Sequence, residues 1–94
     1  MVHILVRHKV KDFNKWKKFF DGHRIVRKAT GSKGGLLFGN AENPNEIFIL
    51  LEWDDLKKAK SFVHSDNLKE TMMQAGVVDK PDIYFLEEVE NVEV

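Results

Sequence analysis

Cysteine is absent from the chain. No disulfide framework staples the fold, and no thiolate is present as a nucleophile or metal ligand. This suits a reducing compartment, and a cytoplasmic location is expected. Net charge is also missing: 15 Lys/Arg balance 15 Asp/Glu, so there is no general drive toward nucleic acid. No apolar run approaches the ~20 residues of a membrane span. The opening MVHILVRHKVKD is apolar too briefly, and charged too soon, to read as a signal peptide. Walker and dinucleotide glycine fingerprints are missing as well, so Gly34-Gly35 is no phosphate loop. Neither membrane nor nucleic acid is an expected partner, and no cofactor or metal is expected.

What is present is apolar and aromatic. The 94 residues are 43% hydrophobic with seven Phe, two Trp and one Tyr, enough for one domain over 1–94. So small a domain exposes a large share of its surface, which makes a second subunit useful. Charge is unevenly placed. Residues 1–39 hold ten Lys/Arg and two Asp/Glu, and residues 40–94 hold five and thirteen. Either the first half offers a basic face to an anionic ligand, or the halves neutralise each other within the fold or across a dimer.

The chain is organised around Asp12–Lys28, DFNKWKKFFDGHRIVRK. At 3.6 residues per turn, Phe13, Trp16, Phe20, His23 and Arg27 share one side. That predicts an amphipathic helix capped by Asp12 and stopped near Gly31, with an aromatic stripe that needs a flat apolar partner. Strands supply it. Val2–Val10 alternates, with Val2, Ile4, Val6, His8 and Val10 on one face. Gly35–Ala41 and Ile47–Trp53 flank a turn at Glu42–Glu46 and read as a hairpin with Gly39 at a bulge. Asp54 or Asp55 caps a second helix, broken near His64–Asn67 and continued by Leu68, Met72 and Ala75. Ile83–Val89 is the last strand. The order is βαββαβ, a ferredoxin-like α+β fold: an antiparallel four-stranded sheet with two helices on one face. Strands one, three and four are apolar on both faces, so a second sheet is expected to cover the bare side, giving a homodimer.

LVRHKVKDFNKWKKFFDGH, GGLLFGN, ENPNEIFILLEWDD, KAKSFVHSDNLKETMMQAGV and PDIYFLEEV together resemble the antibiotic-biosynthesis-monooxygenase (ABM)-like branch of the dimeric α/β-barrel superfamily over almost the whole chain. The resemblance implies a homodimer with a ligand cavity between sheet and helices in each subunit. It also implies activities such as cofactor-independent, quinone-forming oxygenation or haem degradation. Haem-degrading members carry an Asn on the first strand and a Trp and an iron-ligating His on the second helix. Those positions correspond here to Arg7–His8, Phe62 and Met72, which departs from haem degradation.

His8 and His23 are the candidate catalytic pair, because imidazole titrates near neutrality and can take a phenolic proton. The alternative is two hydrogen-bonded histidines in a partly buried shell. Trp16 and Phe20 are candidates to stack on a flat ligand, or are core. Arg7 and Arg27 are candidates to hold a carboxylate; pairing of both with acids of the second half is the competing expectation. Asn40 and Tyr84 are candidates to orient an oxygen atom in the cavity. The expected function is binding of a small aromatic or quinol-like molecule, with oxidation by O₂. The alternatives are a non-catalytic ligand-binding or stress-response module, or a filled interior.

Overall fold

The computed structural model describes all 94 residues. Its elements run β1 (Val2–Lys9), α1 (Phe13–Gly22), α2 (Arg24–Thr30), β2 (Ser32–Asn40), β3 (Asn43–Trp53), α3 (Leu56–Val63), α4 (Asp66–Gln74) and β4 (Asp82–Glu87). The strands form one antiparallel sheet in the order β2-β3-β1-β4. Each crossover is a pair of short helices rather than one helix.

Strand alternation decides which side chains meet the helices. Val2, Ile4 and His8 of β1 are buried, and so are Ile47, Ile49 and Trp53 of β3. The core has two lobes. Val2, Ile4 and Trp53 pack with Ala59, Phe62 and Val63 of α3. Val10, Ile47 and Ile49 pack with Trp16 of α1 and Ala75 beyond α4. Between them lies the ground that β1 and the first crossover share.

Helix ends follow local chemistry. Asp12 accepts from the Asn14 and Lys15 amides, Asp55 from Lys58 and Ser65 from Leu68. Gly31 ends α2 at φ 120°, a conformation that favours glycine.

Several boundaries differ from expectation, and β2 begins at Ser32, three residues before the expected Gly35. The first helix is broken at His23, which sits at φ −84°, ψ 0°. Gly22 weakens the helix there, and the Phe20 carbonyl accepts from Arg27 Nη1 at 2.7 Å. β3 starts at Asn43, inside the expected turn. The turn shrinks to residues 41 and 42, with Asn40 Oδ1 accepting from the Glu42 amide. Pro44 is tolerated because it lies in the first residues of the strand, before β3 meets β1 at Glu46. β4 ends at Glu87, and residues 88–94 form no helix or strand.

The opposite sheet face carries no element of this chain. One row crosses all four strands there: Leu36 of β2, Leu50 of β3, Leu5 of β1 and Tyr84 of β4. Phe38 lies beside Phe48 in the next row. Leu36 is 58% exposed, Tyr84 54% and Phe38 49%. No helix is long and apolar enough to cross a membrane.

Candidate functional site

A cavity of about 70 Å³ lies between the sheet and the helices. Its floor is Ile4, Val6 and His8 of β1 with Ile49 and Leu51 of β3, and its roof includes Trp16, Phe20, His23, Arg27 and Met72. The aromatic stripe of the first crossover thus forms one wall, although the helix is bent at its middle. Trp16 stacks on Phe20 at 5.0 Å between centroids. A void remains beside this pair, so the interior is not filled.

His8 is 2% exposed, and its ring meets Trp16 edge-on at 5.6 Å. Its Nδ1 is buried without a hydrogen-bond partner in the protein. A buried unpaired polar atom costs about 1–3 kcal/mol, so it marks a place where a partner would be rewarded. Burial pushes the His8 pKa below its ordinary value. Asp79 pulls it up, and Arg7 adds to the fall.

His23, at the joint between α1 and α2, is differently placed. Its Nε2 meets Asn67 Oδ1, an acceptor, so Nε2 carries the proton and donates. Its ring also lies 5.8 Å from that of Phe62. His8 and His23 line the same cavity, one free and one held. Asn67 escaped the sequence reading, since nothing local links residues 44 positions apart.

Arg27 lines the cavity with its guanidinium 3.9 Å over the Phe20 ring. Burial lowers its pKa, with Asp21 opposing. It forms no ion pair with the second half of the chain, contrary to the competing expectation. Arg7 does. It bonds Glu46 at 2.8 and 3.0 Å, Asp79 at 3.0 Å and Asp82 at 3.4 Å. The Glu46 hydrogen bond raises the Arg7 pKa most. In turn Glu46 is held below the usual carboxylate range by Asn40 first and Arg7 second.

Two candidates fall outside the cavity. Asn40 Nδ2 donates to Glu46 Oε1 at 2.6 Å, so it braces the hairpin and the Arg7 network. Tyr84 sits on the bare face, paired with Leu5 in register. Its neighbours Ile83 and Phe85 turn toward the helices, which sends Tyr84 the other way. The His64-Ser65-Asp66 run is a helix junction: Ser65 Oγ donates to Phe62 O and caps α4.

A four-stranded antiparallel sheet with helices on one face, and an aromatic-walled cavity between them, define a ferredoxin-like α+β fold. Solved structures share this architecture. A Bordetella bronchiseptica protein assigned as an antibiotic biosynthesis monooxygenase superposes with a TM-score of 0.80 at 14% identity, over 95% of this chain and 97% of that one. A Caulobacter crescentus protein with the same assignment gives 0.75 at 18% identity, over 95% and 90%. A third, from Deinococcus radiodurans, gives 0.66 at 16%, over 100% and 98%. At such identities the likeness concerns the fold, and at that level the ABM-like resemblance read from the sequence fits. No protein-family model matches the chain, and no curated protein matches it.

Proposed function

We propose that the chain acts as a homodimer, each subunit binding a small aromatic or quinol-like molecule between sheet and helices and oxidising it with O₂ without a bound cofactor. The observation that carries this reading is the His8 ring, buried in the wall of an apolar cavity with Nδ1 unpaired. A phenol entering there gives its hydroxyl proton to the imidazole, which burial keeps neutral and ready to accept it. The phenolate is electron-rich enough to react with O₂ at a ring carbon bearing hydrogen. One oxygen atom becomes the new quinone carbonyl and the other leaves as water, which carries away the hydroxyl proton held by the imidazole and the one hydrogen of the attacked ring carbon, while the ring supplies the four electrons that reduce O₂. The apolar walls would keep bulk water from the intermediate.

At about 70 Å³ the cavity is smaller than the ~150 Å³ that holds a benzene ring in an apolar protein interior. A single-ring ligand therefore has to displace a wall side chain. Met72, half-buried and unbranched, is the adaptable one. A binder without turnover is the second reading, favoured by the engagement of His23 with Asn67, which leaves one free base rather than an acid–base pair.

The test is a panel of phenols and quinols followed by thermal shift and by O₂ uptake. A ligand at 100-fold its Kd stabilises by about 2.7 kcal/mol, a shift of roughly 10 °C or more for a domain this small. Binding with turnover, and a His8→Leu variant that binds but loses about 10²–10⁴ in rate, is expected. Binding without turnover in the unaltered protein favours the second reading. No shift with any member overturns both.

A further inference from the structure

A second, open concavity of about 600 Å³ adjoins the cavity, between α2 and the edge strand β2. Arg24, Arg27, Lys28 and Lys33 line it, and no carboxylate does. Lys33 is drawn to Asp54 at 3.1 Å. Arg24, Arg27 and Lys28 have no ion-pair partner. Their spacing of three and four places them along one side of α2. The break at His23 starts α2 afresh, so that this side runs beside β2 while α1 covers the cavity.

Phe20, Arg27 and Leu51 line both spaces. The partition is thus a stacked ring and a guanidinium, with Arg27 3.9 Å over Phe20. A chain in charge balance keeps three unpaired cations around one concavity, next to the apolar space that holds His8.

We propose that the ligand is an aromatic carboxylate: its ring passes the Phe20–Arg27 partition into the cavity, and its carboxylate stays in the α2–β2 groove on Arg24, Arg27 and Lys28. This rests on the reading of the cavity as an aromatic site and adds the charge of the ligand to it. Arg27, at the partition, gives an Nη1 N–H to the Phe20 carbonyl, and its other N–H groups remain for the carboxylate.

Calorimetry with 4-hydroxyphenylacetate and its amide, alike in shape and different in charge, tests this. The acid is expected to bind about tenfold or more tightly than the amide in 20 mM salt, as charge-assisted hydrogen bonds imply. That preference is expected to shrink in 0.5 M NaCl. In the Arg24→Gln/Lys28→Gln variant, which leaves the cavity wall and Arg27 intact, the acid weakens by about threefold or more, its preference over the amide shrinks to what Arg27 alone supports, and the amide is unchanged. Equal binding of acid and amide by the unaltered protein, or a preference undiminished by the double substitution, overturns the groove assignment and leaves the cavity reading standing. Binding of neither compound overturns both.

Discussion

Leu50→Lys is expected to leave the chain a monomer at concentrations where the unaltered protein sediments as a dimer. Leu50 stands in the middle of the bare face, between Leu36 and Leu5, with Tyr84 closing the row. The proposed partner is a second copy laid on this row, because one copy offers the other the same greasy surface. An ordinary stable interface buries about 800 Å² per partner, within reach of a four-stranded face. Two-fold symmetry counts the substitution twice and brings two ammonium groups into a drying surface. Desolvating each costs several kcal/mol, so a loosening of the dimer by 10³-fold or more is expected. The side chain points away from the core, so the variant should melt cooperatively as a monomer. Sedimentation equilibrium reads the result. An unaltered chain that is monomeric at tens of micromolar would remove the twin from the account.

Trp53→Ala is expected to have the largest effect on stability. Trp53 is fully buried, packs against Phe62 with ring centroids 4.7 Å apart at a 35° tilt, and donates from Nε1 to the Thr30 carbonyl at 3.1 Å. It thereby ties the end of β3 to the end of α2 and to α3. Gly31 yields space to it: a Cβ there would lie 3.0 Å from Trp53 Nε1. Truncating such a ring costs about 3–5 kcal/mol, against a total of about 5–15 for a domain. The Tm should fall by roughly 15–25 °C. Trp53→Phe, which keeps most of the apolar area and loses the hydrogen bond, should cost far less. A Trp53→Ala melt within about 5 °C of the unaltered protein would show that this corner does not hold the fold.

Much of this was legible in the residues because it is local. Alternation in β1 put Val2, Ile4 and His8 on the helix side, and caps at Asp12 and Asp55 follow from carboxylates ahead of free amides. The stripe Trp16, Phe20, His23 and Arg27 does line one space. The differences come from side-chain contacts that periodicity and capping do not show, seven and six residues apart in two cases and 44 in the third. The break at His23 reflects Arg27 reaching the Phe20 carbonyl, and the hold on His23 comes from Asn67 in the other crossover. Asn40 looked free until Glu46 was brought back beside it. Tyr84 was a different error: once Ile83 and Phe85 are counted as core, the period of two already places it on the far face.

Ring-nitrogen NMR on histidine-labelled protein, followed through a pH titration with and without 4-methylphenol, reads the His8 site directly. Burial lowers the His8 pKa from its ordinary 6.5. The unfolded chain therefore takes up the proton first, and stability tied to this ring is full above about pH 6.5 and lost as the pH falls below it. The expected spectrum shows His8 protonating only below its ordinary 6.5, and its ring nitrogens shifting when the phenol is added while those of exposed His64 stay put. A His8 ring that protonates at or above pH 6.5 and does not respond to the phenol would contradict the site.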